Sequence, residues 1–171
     1  MMRRFVLLAL APILLASAAR AETAPPFEQH YAPAEDLEAL DVAEIDQAGE
    51  TLDIAAYVLT DVPVIEALTD AAARGVKVRL YRWREEHAAS GPIAAALAAM
   101  RAAGVAERFK TPDAPPMHLK TYCVDHRLLR FGAANFSRSG LKDQDNDLDI
   151  ARGPGVCARF EADFESMWGR P

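Results

Sequence analysis

The sequence predicts an α/β domain, a mixed, largely parallel sheet with helices on both faces, formed as a single unit by residues 34–171. Three observations carry this prediction. Short apolar runs of strand length alternate with longer segments whose apolar residues recur at helical spacing. Glycines stand where those helical segments stop, at Gly49, Gly75 and Gly104. No stretch repeats another at a fixed period, which argues against a solenoid.

Residues 1–21 read as a signal peptide rather than as part of the fold. Arg3 and Arg4 form a basic start, residues 5–15 are apolar, and Ala19-Arg20-Ala21 is a small-x-small cleavage site. The apolar run is shorter than the ~20 residues a bilayer span needs. The mature chain, from Glu22, is therefore expected in the periplasm or outside a bacterial cell, with no stable membrane span. Residues 22–33, with Pro25-Pro26, read as a flexible lead-in. A first helix over 34–48 places Leu37, Leu40, Ile45 and Ala48 on one face. Residues 51–59 form a buried strand, and 62–74 a helix with a stripe of Val64, Ile65, Leu68 and Ala72. Val76, Val78 and Leu80 alternate with Lys77, Arg79 and Tyr81, as in a strand. Ser90 is positioned to cap a helix carrying Ile93, Ala96, Leu97 and Met100. A short strand over 105–109 leads into a Pro-rich loop, then a strand hairpin from Met117. A strand at 148–151 and a closing helix with Val156, Phe160, Phe164 and Met167 on one face complete the order.

The charge balance limits function. Three arginines and no acid lie in the first 21 positions, so of 19 basic and 25 acidic residues 16 and 25 remain, a net charge of −9. Such a chain is not a general polyanion binder, and contact with nucleic acid requires a local basic patch. Two groups qualify: Lys77, Arg79, Arg82 and Arg84, then Arg127, Arg130, Arg138 and Lys142. Two cysteines, Cys123 and Cys157, belong to a compartment that permits disulfides, and the sequence leaves open whether they are bridged or remain buried thiols. Neither has the C-x-x-C spacing of a metal site.

The chemistry concentrates in Met117 to Phe136. His118 and Lys120 are two apart in an apolar strand, so their side chains project to the same face. Asn135 follows Gly132 in a loop that folds back over that face. An imidazole, an ammonium and a carboxamide on one surface suit a nucleophile acting on a bound phosphate. His30, His87 and His126 lie in polar surroundings and read as surface residues, although His87 or Trp83 is placed to line a substrate cleft.

The spacing His118-x-Lys120-x4-Asp125, followed by Gly132-Ala133-Ala134-Asn135-Phe136-Ser137, resembles the phospholipase D superfamily signature, H-x-K-x4-D and then G-[SG]-x-N-x-[ST]. Ala133 departs from it, removing a usual serine hydroxyl. The element order is similar to the short, single-motif members, a secreted bacterial endonuclease and mitochondrial phospholipase D-like proteins among them. The resemblance extends to Tyr57 and the run at residues 71–78.

The resemblance implies a phosphodiesterase with a phosphohistidine intermediate, no metal and no cofactor. His118, Lys120 and Asn135 would be catalytic, and Asp125, Ser137 and Asp147 supporting. Asp125 is expected to be structural, since its odd offset from His118 turns it away on a strand. Asp147 is expected to orient His118, with Asp145 next in line; the family's usual acidic position is Asn146 here. One imidazole cannot act as nucleophile and acid in the same step, so a single-motif chain implies a homodimer with two copies of His118 at a shared site. Nucleic acid is the first substrate expected. Phospholipid is the alternative, and a catalytically dead phosphate- or nucleic-acid-binding module the reading from another class.

Overall fold

The computed structural model describes residues 27–84, 91–111 and 113–170. The expected signal peptide and cleavage site, Ser90 and His87 lie outside the described residues. Seven strands form one sheet: β1 (Phe27–Ala32), β2 (Thr51–Ala56), β3 (Lys77–Arg82), β4 (Ala106–Phe109), β5 (Lys120–Val124), β6 (Leu128–Phe131) and β7 (Asn146–Arg152). Their spatial order is β1-β7-β6-β5-β2-β3-β4. Helices α1 (Leu37–Asp46), α2 (Val62–Ala73) and α3 (Gly91–Ala102) cover one face, and α4 (Ala158–Trp168) the other. No helix among the described residues is long and apolar enough to cross a membrane.

The expected class is observed, but the sheet is less parallel than predicted. Only β2–β3 and β3–β4 pair in parallel; the other four pairings are antiparallel. The cause is local. Asp125 and His126 both take positive φ, +49° and +59°, in a tight turn closed by Arg127 N–H to Val124 O at 3.0 Å. That turn makes β5 and β6 a hairpin, and β5 also pairs antiparallel with β2 on its other side. A second correction concerns residues 22–33. The later part of this expected lead-in is β1, paired antiparallel with β7 from Phe27↔Ala151 to Ala32↔Asn146. FEQHYA has no clean apolar alternation, so its strand character comes from a partner some 120 residues away.

The helices begin where their caps dictate. Asp36 Oδ1 accepts the Ala39 N–H at 3.1 Å, which starts α1 three residues later than the apolar spacing suggested. Asp61 Oδ1 accepts the Val64 N–H at 3.2 Å and Pro63 sits in the first turn of α2. Leu37, Ile45, Ile65, Leu68, Leu97 and Met100 then pack on Leu52, Ile54, Leu80, Tyr122, Leu148 and Ile150. On the opposite face Phe160, Phe164 and Met167 of α4 cover Ala55, Tyr81 and Cys123. Each fully buried side chain of this size contributes roughly 1.5–3 kcal/mol.

Cys123 and Cys157 are joined in a disulfide that ties β5 to the start of α4. The bridge spans 34 residues, for which loop-closure entropy gives about 3–4 kcal/mol of stability. Replacing both cysteines by alanine should lower the free energy of urea unfolding by roughly 2–4 kcal/mol. Reductant should shift the wild-type midpoint by a similar amount and leave the variant unmoved. Equal midpoints for wild type and variant under oxidising conditions would contradict the bridge.

Candidate active site

His118 stands just before β5, exposed at the rim where β2 and β3 end. Pairing continues beyond the strand, because the Tyr57 N–H donates to Leu119 O at 2.9 Å. Lys120, the first residue of β5, is 5% exposed. Its Nζ lies 2.8 Å from His118 Nδ1 and 3.2 Å from Nε2, and donates to His118 O at 2.8 Å. The structure thus brings the two predicted residues into direct contact. Burial, and then the charge of Arg130, hold the Lys120 ammonium below the ordinary lysine pKa. The Tyr57 ring flanks both, 4.2 Å from the His118 ring and 5.0 Å from Lys120 Nζ.

The Asn135 loop is pinned to the segment just after Tyr57. Leu59 and Phe136 form a β-bridge, and the Thr60 and Asp61 N–H groups both donate to Phe136 O, at 2.8 and 3.0 Å. Gly132 starts the loop with φ +135°, and a Cβ there would stand 2.6 Å from Asp147 O. A side chain is therefore excluded on two counts. Gly140 supports the loop from below, since a Cβ on it would lie 2.6 Å from Asn135 O. Ser137 Oγ accepts the Gly140 N–H at 3.2 Å and opens a π-helical turn, Ser139–Asp143. Ser137 thus acts on the loop's own backbone. Among the described residues, the Asn135 carboxamide oxygen is buried without a hydrogen-bond partner.

One buried cation joins these parts. Arg130 Nε and Nη2 each donate to the Asp41 carboxylate at 2.9 Å. Its Nη1 donates to Lys120 O at 2.7 Å, and Nη2 to Ala134 O at 3.2 Å. The guanidinium lies over the Phe136 ring at 4.5 Å. Burial pushes the Asp41 carboxyl up, while the Arg130 charge and the Tyr122 hydroxyl at 3.1 Å draw it down. Arg130, expected in a basic patch, is instead wholly buried, and its partner Asp41 is a functional residue that the sequence reading does not single out. The available signal was a charged residue at a core-facing position in each element, between Leu128 and Gly132 in one and among Leu37, Leu40 and Ile45 in the other.

The remaining expectations divide. Asp125 is structural, as its offset indicated: its carboxylate accepts the N–H groups of Gly49, Glu50 and Thr51 at 2.8–2.9 Å. Burial alone would raise its pKa, but the three donors hold it below the usual carboxylate value. Asp147 does not orient the imidazole. Its Oδ1 accepts the Ala133 N–H at 3.0 Å, and it neighbours Asp149. The reason is strand alternation: Leu148 and Ile150 face the α1–α3 core that Tyr122 joins, so Asp147 faces the other way. Asp145 is exposed just before β7, and Asn146 Nδ2 donates to Gly140 O at 2.9 Å. Most of the expected basic patch is neutralised. Arg79 pairs with Asp53 and Glu165, Arg82 with Glu107, Arg130 with Asp41, and Lys142 with Glu38 and Asp36. His30 and His126 bond to Glu35 and Glu161. Among the described residues the one grouping with metal-like spacing is Cys123, Cys157 and Glu161, where the two sulfurs are bonded to each other.

A family model described as cardiolipin synthase, PLD-like domain, matches residues 42–168, the span that carries this buried lysine, its histidine and the carboxamide loop. The chain belongs to this phospholipase D-like family. It is 26% identical over 121 residues to a mitochondrial cardiolipin hydrolase of Chlamydomonas reinhardtii, covering 71% of this chain and 52% of that protein. It therefore spans about half the length of the curated relatives it matches. Among solved structures, the phospholipase D family member Nuc from Salmonella typhimurium superposes with a TM-score of 0.75 at 22% identity, covering 84% of this chain and 94% of that one. NucT from Helicobacter pylori gives a TM-score of 0.67 at 18% identity, with 84% and 95% covered. These likenesses establish a phospholipase D-like fold.

The Asp41–Arg130 pair makes a testable claim about positioning in this phospholipase D-like domain. Asp41→Asn should cost about 3–5 kcal/mol in urea unfolding, because a buried guanidinium is left uncompensated. The double variant Asp41→Leu, Arg130→Met should recover much of that stability. The double variant should not retain the wild-type affinity for a phosphate mimic such as tungstate, because without Arg130 the carbonyl ties to Lys120 and Ala134 are gone. Full tungstate affinity in a well-folded double variant would show that the pair does not set the site.

Proposed function

We propose that this domain is a metal-independent phosphodiester hydrolase that works through a phosphohistidine, with nucleic acid as its first substrate. The observation that carries the reading is the Lys120 Nζ held 2.8 Å from the His118 imidazole at an accessible rim. A neutral His118 nitrogen attacks phosphorus, the P–O bond to the leaving oxygen breaks, and a second, protonated imidazole supplies the leaving group's proton. Water then attacks phosphorus and gives its proton to that second imidazole, a P–O bond forms and the P–N bond breaks, which returns His118 to its starting state. Lys120 and Asn135 offset the charge on the phosphoryl oxygens throughout.

The second imidazole is His118 of another copy in a homodimer, because the chain holds one motif. The Cys123–Cys157 disulfide supports an oxidising compartment, in line with export to the periplasm or beyond. Phospholipid is the second reading, favoured by the relatives named as cardiolipin hydrolases.

His118→Ala should abolish turnover of oligonucleotide and cardiolipin alike without unfolding the chain, and excess chelator should leave the wild type active. Lys120→Ala and Asn135→Ala should each lose on the order of 10²–10³-fold in kcat. Chains mixed and refolded at fixed total protein test the shared site. With wild type and His118→Ala combined, activity should fall as the square of the wild-type fraction, and a linear fall would end the dimer mechanism.

The pH profile supplies a separate check on Lys120. The ammonium is the useful form, and its pKa is lowered in the folded protein. Activity should therefore be full below that pKa and decline as pH rises through it, short of the ordinary lysine value of 10.5. Lys120→Arg should move this alkaline limb upward. An unmoved limb would assign it to another group.

A further inference from the structure

Beside His118 the rim carries a continuous column of rings that ends in a cation. Tyr57, 4.2 Å from the His118 ring, stacks on Trp83 at 5.0 Å with the planes 19° apart. The Arg84 guanidinium lies over the Trp83 ring at 4.1 Å. The topology builds this column. Tyr57 and Trp83 are the residues directly after β2 and β3, parallel neighbours whose ends pair as Ala56↔Arg82. Adjacent strands lie ~4.8 Å apart, so side chains one step beyond each end meet at stacking distance. Tyr57 and Trp83 are half-buried and Arg84 is exposed, so the column reaches the surface from the edge of the α4-side core.

We propose that Tyr57, Trp83 and Arg84 form a nucleobase subsite that selects single-stranded nucleic acid. The base next to the scissile phosphate stacks on Trp83, and Arg84 leaves the indole to bind the adjoining phosphate. The inference rests on the reading of His118 as the mark of the scissile phosphate. Relative strengths favour the exchange: stacking of a base on an aromatic ring outweighs an exposed guanidinium–indole contact. A duplex keeps its bases stacked on one another and presents no free face to Trp83. A phospholipid head group has no π-face at all, so the column would contribute nothing to lipid binding.

The test separates binding from turnover. In a His118→Ala background, fluorescence anisotropy compares a labelled single-stranded oligonucleotide with the same backbone made abasic throughout. The base-bearing strand should bind roughly 5- to 100-fold more tightly, and a duplex of the same sequence no better than the abasic strand. Trp83→Ala should bring the ratio close to one, and Trp83→Phe should keep most of it. Arg84→Gln should preserve the preference but reduce the slope of log affinity against log salt by about 0.7, one phosphate contact on a single strand. Because Trp83 also packs against the α4 core, the exposed Arg84 keeps the test decisive if Trp83→Ala does not fold. Equal binding of base-bearing and abasic strands overturns the proposal. So does a preference that survives Trp83→Ala in a natively folded variant, or an unchanged salt slope in Arg84→Gln. A wild type that cleaves cardiolipin vesicles while ignoring bases leaves the hydrolase reading standing and removes this one. A base preference in a protein that cleaves no phosphodiester does the reverse.

Discussion

The geometry of the rim depends on one buried ion pair, Asp41 with Arg130. Neither side chain is exposed to solvent, and two ions taken out of water are a poor source of stability. Here the desolvation is offset by geometry. Two parallel N–H···O bonds join the pair, the Tyr122 hydroxyl adds a third donor to Asp41, and two carbonyls accept two further guanidinium protons. Those carbonyls belong to Lys120 itself and to Ala134, the residue before Asn135, the two polar groups proposed to meet a phosphate. The pair therefore specifies position more than it stabilises. An apolar replacement would fill the same volume but would hold neither carbonyl. The rigid planar fork of arginine is suited to this, since it directs protons to three partners at fixed angles.

The parts of this arrangement that are local in the chain were legible before the fold was known. His118 and Lys120 share a face because strand periodicity is two, and Asp125 faces away for the same reason. The helical segments followed from apolar spacing, although α1 begins at Leu37 rather than at residue 34, and the hairpin followed from the Asp125-His126 turn. What escaped was non-local. FEQHYA carries no strand signal of its own and becomes β1 only because β7 offers it a free edge. The insertion of β5 between β2 and β6 decides that most pairings are antiparallel, and no residue of β5 encodes its neighbours. Asp147 was misassigned because its register depends on where β7 enters the sheet; a shift of one residue reverses every side chain. Asp41 and Arg130 each violated an apolar stripe, which was a readable anomaly. That the two anomalies cancel each other across 89 residues was not readable from either stripe.

The distribution of charge follows the same logic. The chain is acidic, with a formal net charge of −6, and its arginines on β3 and β6 are held by Asp53, Glu107 and Asp41 rather than displayed. A run of basic residues on a strand faces opposite sides in turn, so a linear count of basic residues overstates any patch. Positive potential is left to particular positions near the rim, with Lys120 in direct contact with the imidazole. This is an economical way for an acidic protein to admit a phosphodiester: attraction is short-ranged and placed where the phosphoryl oxygens would lie, while the wider surface repels indiscriminate polyanions.

The contrast in exposure between His118 and Lys120 completes the argument. A nucleophile, the role proposed for His118, has to be reached, and the imidazole stands at the open rim. A charge that stabilises a transition state is most effective where water does not screen it, and the ammonium is buried two residues away. Burial disfavours that ammonium, and the Lys120 pKa is lowered accordingly. Its proton is retained by the His118 carbonyl and by the face of Tyr57, both of which favour the charged form. A bound phosphate would add a full negative partner where now there are only dipoles. In the proposed mechanism this cation's electrostatic deficit is corrected by the substrate's own charge, and correction is greatest when that charge is highest, as phosphorus passes through its five-coordinate state.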